Sequence, residues 1–343
     1  MPAIDIVTLG RFLDSIQVPY RCLGSPETGR VLVIEEGARI LAMTPPGSDT
    51  NVLWTHPSLS QCTSRKELSS IGAGGMGGLR LWQAPEAAYH WKGIAEPKTF
   101  SNYKLQQAMD PGAYLLRESS KSRCTIEGSV TLIDYRTETQ ITCDIRRIIE
   151  LAALPNRYAA CGGAGFRLRM ENHLSLRTGN ETSRVDLWHL MQLPVPCSIG
   201  APVRPDMRPE VYFNPESCDG WEARNGCFIW QTNGKRMAKV GLGTDQVTGG
   251  PFAVRKNGTT LEIYLWEVPI RPDQEYVDAA PGRSDRNQVI QFWDGFDFCE
   301  VEYHSPGASL QQPKITDISE MTYLEIPVEK LEVLRTIVNL PPI

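Results

Sequence analysis

Phe292-Trp-Asp-Gly-Phe-Asp-Phe-Cys-Glu-Val-Glu-Tyr-His-Ser-Pro-Gly307 is the stretch whose reading decides the fold. Asp294-Gly295 and Ser305-Pro306-Gly307 are turn signals, and between them Phe298–His304 has the β-branched and aromatic content of a strand. Side chains alternate across a strand, so Phe298, Glu300, Glu302 and His304 share one face and Cys299, Val301 and Tyr303 the other. With the odd-numbered face in a core, two carboxylates and an imidazole project together from the opposite side. Like charges at that spacing raise the pKa of one carboxyl, and a nearby imidazole can hold the complementary proton. Such a face is equipped for general acid–base chemistry; the competing reading is a strand with an ordinary solvated polar face. A metal site built from Glu300, Glu302, His304 and His90 is disfavoured, because Glu-x-Glu-x-His on a strand has no zinc spacing. Neither a metal nor a cofactor is expected.

Working outward, short extended runs dominate the chain. Arg30–Ile34 and Arg39–Met43 flank Glu35-Glu36-Gly37-Ala38, a hairpin turn, and Asn51–Trp54 resumes after a Pro-Pro-Gly loop. Later strand candidates are Ser129–Tyr135, Thr139–Leu151, Phe166–Asn172, Arg184–Leu193 and Cys227–Gln231. Pro251–Lys256, Thr259–Val268 and Gln288–Phe292 complete the set before Phe298–His304. Ser64-Arg-Lys-Glu67 offers a capping box for a short helix ending near Gly72. Only Pro327–Val338 has a helical stripe, through Leu331, Leu334 and Val338. Many turn-punctuated strands and few helices predict an all-β fold, a large antiparallel sandwich. No linker or repeat divides it, so residues 1–343 read as a single domain, with its core over about residues 30–327 and a C-terminal helix at 327–338.

A formal charge of −5 gives no electrostatic footprint for nucleic acid or an anionic membrane, and neither is expected as a partner. No apolar run approaches the 18 or so residues of a membrane span. Acidic residues in the first 14 positions do not suit a signal peptide, so a cytoplasmic location is expected. The nine cysteines are odd in number and form no Cys-x-x-Cys, which fits reduced, buried thiols.

Gly72-Ala-Gly-Gly-Met-Gly77 satisfies the dinucleotide-binding pattern, but that mechanism needs a strand before the glycines and a helix after them. Here the order is reversed, with a polar helical segment before and a strand, Leu79 onward to Pro85, after. The glycines are better read as letting a loop pass close to another backbone or a ligand. Arg80 and Trp82 share a face of that strand, and Glu86 and His90 follow the proline. A sugar can stack its C–H face on indole while its hydroxyls pair with such charged groups; a core tryptophan beside a surface ion pair is the ordinary alternative. In Asp186–Gln192, Trp188 and Gln192 share one face and His189 takes the other. The segment Leu193–Pro209 carries five prolines and reads as a stiff loop.

Gly77-Gly-Leu-Arg-Leu-Trp-Gln-Ala-Pro-Glu86, Leu187-Trp-His-Leu-Met-Gln-Leu-Pro194 and Phe298-Cys-Glu-Val-Glu-Tyr-His-Ser-Pro306, in this order, resemble the galactose-mutarotase-like (aldose 1-epimerase-like) superfamily, in its branches carrying a Gly-Gly-x-Arg-Leu-Trp-x-x-Pro-Glu motif. The resemblance spans roughly Arg30 to Pro327. It implies a β-supersandwich with a carbohydrate-binding concave face, a late-strand glutamate that takes the anomeric proton, and a mid-chain histidine that protonates the ring oxygen. Glu302 matches the glutamate and Arg80 the substrate-binding arginine. The chain departs from the pattern at the mid-chain motif, where strand parity puts Trp188 in the histidine's place and turns His189 away. The expected function is an aldose epimerase-like isomerase: Glu302 as base, His304, His90 or His189 as acid, Glu300 tuning Glu302 or holding a hydroxyl, and Trp82 and Trp188 stacking on the ring, with Arg80, Glu86 and Gln192 also binding substrate. A lyase or hydrolase on an acidic sugar or natural-product substrate, or a carbohydrate-binding protein without chemistry, are the alternatives. The partner expected is a small sugar-like molecule, the state a monomer or homodimer.

Overall fold

The computed structural model describes residues 4–71, 75–92, 102–279, 287–338 and 340–341. Period-two alternation dominates them and resolves into strands. The first are β1 (Tyr20–Ser25), β2 (Gly29–Ile34), β3 (Arg39–Thr44) and β4 (Leu79–Ala84). Next come β5 (Tyr114–Ser119), β6 (Arg123–Asp134), β7 (Thr139–Ala153), β8 (Ala164–Thr178), β9 (Asp186–Pro194) and β10 (Cys197–Pro202). They are followed by β11 (Glu210–Phe213), β12 (Trp221–Arg224), β13 (Cys227–Thr232), β14 (Ala238–Gly243) and β15 (Phe252–Asn257). The last are β16 (Thr260–Glu267), β17 (Gln288–Gly295), β18 (Phe298–His304) and β19 (Lys314–Pro327). Helices are few and short: α1 (Ile6–Ser15), α2 (Arg65–Ser69), α3 (Glu86–Tyr89) and α4 (Leu331–Ile337).

Two antiparallel sheets result. A nine-stranded sheet runs β1-β2-β3-β4-β9-β18-β17-β14-β11, and a ten-stranded sheet runs β12-β13-β10-β15-β16-β19-β8-β7-β6-β5. The expected all-β antiparallel sandwich is the architecture observed. β18 lies in the middle of the first sheet, between β9 and β17. Its Cys299, Val301 and Tyr303 join a core cluster with residues of both sheets, and Phe228 of β13 stacks on Phe292 of β17 across the interface at 5.3 Å. Alternation then turns Glu300, Glu302 and His304 to the other side of the sheet. The register sets the site in rows: Arg80 opposite Leu190 opposite Glu302, and Trp82 opposite Trp188 opposite His304.

Several elements differ from the sequence reading. The β17–β18 turn is Phe296-Asp297, not Asp294-Gly295; Gly295 is still in strand, paired with Phe298. Asn51–Trp54 is not a strand, although the Trp54 carbonyl accepts the Gly78 N–H at 2.9 Å and its N–H donates to the Gln192 carbonyl at 3.0 Å. The proline-rich Leu193–Pro209 segment contains β10, which pairs with β13 and β15. Helix α1 was hidden by a pattern read only for signal-peptide character: Asp5 Oδ1 caps it by accepting the Thr8 N–H at 2.8 Å, and Ile6, Leu9, Phe12 and Leu13 are buried. At the C-terminus α4 is a shorter helix than predicted, preceded by a 3-10 turn at Val328–Lys330, but Leu334 is buried and Leu331 and Val338 pack beside it.

Gly72–Gly74 of the glycine-rich segment lie outside the described residues. Gly77 and Gly78 show why glycine is needed there: both have positive φ, and an added Cβ would lie 2.3 Å from the Trp54 carbonyl oxygen or 2.2 Å from that of Ile40. The chain runs from them directly into β4, so no helix opens toward a pyrophosphate. Seven of the nine cysteines are buried, and no helix among the described residues is long and apolar enough to cross a membrane.

Candidate active site

The outer face of the nine-stranded sheet holds a cavity of about 480 Å³. Arg80 and Trp82 come from β4, Trp188 and Leu190 from β9, Glu300 and Glu302 from β18, Trp293 from β17, Lys239 from β14 and Phe213 from β11. Glu86, the first residue of α3, reaches it because Pro85 ends β4 and turns the chain back over the sheet.

Charged groups on the floor are arranged in pairs. The Arg80 guanidinium forms an ion pair with Glu300 and sits 4.0 Å above the Trp82 ring. Lys239 Nζ bridges two carboxylates, 2.9 Å from Glu302 Oε2 and 3.0 Å from Glu86 Oε2, and lies 4.3 Å from the Trp188 ring centroid. Trp188 Nε1–H donates to the same Glu302 Oε2 at 2.7 Å. Trp82 Nε1–H donates to Asp110, which is also paired with the buried Arg39, so both indoles are fixed by their polar edges.

Glu302 is wholly buried, and its second oxygen, Oε1, has no hydrogen-bond partner among the described residues. Burial lifts its pKa; Lys239 pulls it back, Glu300 and Glu86 push it up again, and it stands at about 7. Burial disfavours the Lys239 ammonium, but Glu302, Glu86 and Asp278 outweigh that and raise its pKa above the ordinary value. Lys239 therefore stays charged while Glu302 is balanced between acid and base at neutral pH.

The sequence candidates divide accordingly. Arg80, Trp82, Glu86, Trp188, Glu300 and Glu302 line the cavity; His304, His90, His189 and Gln192 do not. His304 lies behind Trp188, stacked on it at 5.5 Å, with Nδ1 3.2 Å from Asp186 and Nε2 4.0 Å from Asp278. Burial opposes its charge, yet Asp186 and Asp278 raise its pKa above the usual histidine value. His90 is packed between Trp82, at 5.2 Å, and Tyr103, at 5.4 Å, and burial drives its pKa down to about 3. His189 faces the inter-sheet core, 3.2 Å from Asp317 and edge-on to Trp266. Gln192 is buried beside the Glu300 register position. None of the three histidines is a partner of Glu302, whose partners are Trp188 and Lys239. Of the grouping weighed from sequence as a metal site, Glu300 pairs with Arg80, Glu302 with Lys239 and His304 with Asp186.

Lys239 escaped the sequence reading because β14 did. Its signal was Ala238-Lys-Val-Gly-Leu-Gly243, where Ala, Val and Leu alternate with Lys, Gly and Gly. That is a strand with one apolar face and one face left bare except for a lysine. The glycines suppress strand propensity, yet Gly241 is where Tyr212 and Gln288 pack, each within 2.8 Å of an added Cβ. Phe213, Trp293, Phe296 and Phe298 of the wall were likewise not anticipated as site residues.

Against known proteins, the chain matches no family profile, and no curated protein matches it in sequence. Solved structures do match. A galactose mutarotase-like protein from Lactobacillus casei superposes with a TM-score of 0.53 at 9% identity, over 89% of this chain and 100% of that one. An aldose epimerase homologue from C. elegans gives 0.45 at 10% identity, over 91% and 99%. A galactose 1-epimerase from Lactobacillus acidophilus gives 0.42 at 11%, over 90% and 95%. The first of these likenesses establishes a shared fold, the galactose mutarotase-like sandwich.

Proposed function

We propose that this cavity binds a sugar-like cyclic hemiacetal and interconverts its anomers by acid–base catalysis. The observation that carries this reading is Glu302: a buried carboxylate with one oxygen held by Lys239 and Trp188, the other unpartnered, and a pKa of about 7. A general base works best when its pKa lies near the operating pH.

The ring would lie beside Trp188 and Trp82 rather than stacked on them, since His304 and Lys239 pack on the Trp188 ring and His90 and Arg80 on that of Trp82, with Arg80, Glu300 and Glu86 taking hydroxyls. Glu302 Oε1 accepts the anomeric hydroxyl proton as the C1–ring oxygen bond breaks and an aldehyde forms. Lys239 donates a proton to the departing ring oxygen. Both reacting oxygens are bonded to the same carbon, so acid and base must be neighbours, as Lys239 and Glu302 are. The buried ion pair becomes a neutral pair without a net change of charge, which suits a low-dielectric site. Rotation about C1–C2 and reversal of both transfers yields the other anomer. The acid in this scheme is Lys239, in place of the histidine expected from sequence.

The test is exchange between anomers, followed by NMR, over a panel of hexoses, pentoses and uronic acids. Conversion above the uncatalysed rate that is lost in Glu302→Gln supports the proposal. Saturable sugar binding without turnover of any kind would assign the protein to the binding class, and unsaturated products would assign it to the lyases.

A further inference from the structure

The cavity has two chemically distinct ends. Its floor is deep and charged: Glu302, Lys239, Trp188 and Trp82 are at most 4% exposed. Among the described residues its mouth is mainly apolar and partly exposed, formed by Phe296, Phe213, Tyr103, Ile71 and Leu105. Leu105 is 38% exposed. A bare hexose carries hydroxyls around its whole rim, and those pressed against these side chains would meet mostly carbon and few hydrogen-bond partners. The volume of about 480 Å³ lies in the range of roughly 300–1,000 Å³ typical of drug-sized ligands.

A second, independent feature is the turn that carries Phe296. Phe296 and Asp297 form the two-residue β17–β18 loop with φ of 55° and 64°, so both central positions are left-handed, as in a type I′ turn. Asn-Gly suits that turn, whereas a bulky aromatic at positive φ is strained. The turn is held in place by the Asp297 N–H, which donates to the Gly234 carbonyl at 2.8 Å. A strained conformation that holds an aromatic ring at the mouth of a cavity is the kind of outlier that points to a ligand contact.

We infer that the substrate is an amphiphilic cyclic hemiacetal, with its hydroxylated ring on the charged floor and an apolar or aromatic substituent, attached away from the anomeric carbon, against Phe296 and its neighbours. This rests on the hemiacetal reading above and adds the substituent to it.

The experiment compares binding of glucose and galactose with their 6-O-benzyl ethers, by tryptophan fluorescence, with benzyl alcohol as the ring-free control. Each buried methylene contributes about fourfold in affinity, so the ethers are expected to bind at least about tenfold more tightly than the parent sugars. Phe296→Asn gives the turn a residue it prefers, so folding is retained, and it is expected to cut the ether-to-parent ratio to less than about threefold. Equal affinity of ethers and parents, or an unchanged ratio in Phe296→Asn, would overturn the inference. Benzyl alcohol binding as tightly as the ethers, with no sugar binding, would instead overturn the hemiacetal reading while leaving the apolar mouth in place.

Discussion

Lys239 Nζ lies 2.9 Å from Glu302 Oε2, joining β14 to β18 across the intervening β17 within one buried sheet face. Among the described residues the pair leaves Glu302 Oε1 unpartnered, and it sets Lys239 among three acidic neighbours, Glu86, Glu302 and Asp278, while Arg80 is taken up by Glu300. The chemistry proposed for the site and most of its measurable consequences stem from this contact.

Glu302→Gln keeps the shape and the Trp188 contact but cannot take a proton at neutral pH. We predict a fall in kcat of about 10²-fold or more on any substrate the protein turns over. Lys239 retains Glu86, so the stability loss should stay near about 1–3 kcal/mol, below the full cost of an orphaned buried charge. Activity per folded molecule, with urea unfolding as the folding measure, separates the two effects. A loss of activity that merely tracks the folded fraction would remove Glu302 from the reaction.

The pH profile should move in opposite directions in two variants. With Glu302 as base, kcat/KM rises with pH through its pKa of about 7. Glu300→Gln removes a like charge and leaves Arg80 uncompensated, so that limb should shift to lower pH. Lys239→Met removes the proposed acid and leaves Glu302 and Glu86 without their cation, so turnover should fall by about 10²-fold or more and the limb of the residual activity should shift upward, with a stability cost of about 3–5 kcal/mol. Shifts in the same direction would show that Glu302 is not the titrating group.

Sequence legibility followed chemical distinctiveness. β18 could be read because its core-facing residues are apolar and its opposite face carries Glu, Glu and His, and parity alone then gave both faces. β14 could not, since its site face is Lys-Gly-Gly. The roles of the histidines also depend on packing that no spacing records. His304 and Glu302 share a strand face, yet the Trp188 indole, arriving from β9, lies over His304 while its Nε1–H holds Glu302. The I′ turn was invisible because Phe-Asp is not a sequence that announces one.

The approach of Gly78 to β3 makes a prediction about how the site is placed. An added Cβ there meets the Ile40 carbonyl at 2.2 Å with φ at +83°, and the obstacle is backbone, which cannot swing aside. Gly78→Ala should therefore cost at least about 2 kcal/mol and displace β4, which carries Arg80 and Trp82. Gly162→Ala is the control, with φ at +62° but nothing within 4 Å of the added carbon. Thermal melts of the two should differ by at least about 1–2 °C, with Gly78→Ala the lower; equal losses would mean that φ strain alone matters.

His90 is one of the residues that the sequence offers as the acid. It is wholly buried; its Nε2 lies 3.3 Å from the Gln83 carbonyl oxygen, and its Nδ1 has no partner among the described residues. Its pKa of about 3 means that it remains neutral at any pH where the protein would work, with no proton to donate as an imidazolium. Because the folded pKa lies below the unfolded value near 6.5, its neutral form contributes stability that is fully present above pH 6.5. That contribution is lost as pH falls from 6.5 toward 3. Glu302 acts the other way: its raised pKa contributes stability below about 4.5 that is lost as pH rises through 7. The wild-type curve mixes the two, so the informative quantity is a difference. His90→Phe keeps the stack against Trp82 and Tyr103 and forgoes the Gln83 contact, at about 1 kcal/mol near pH 8. Between pH 6.5 and 4 the variant should lose less stability than wild type, by up to about 1.4 kcal/mol per pH unit, while turnover stays within a few-fold. Parallel stability curves would show that His90 already titrates in the fold. A collapse of turnover in a stably folded His90→Phe would return the acid's role from Lys239 to this histidine.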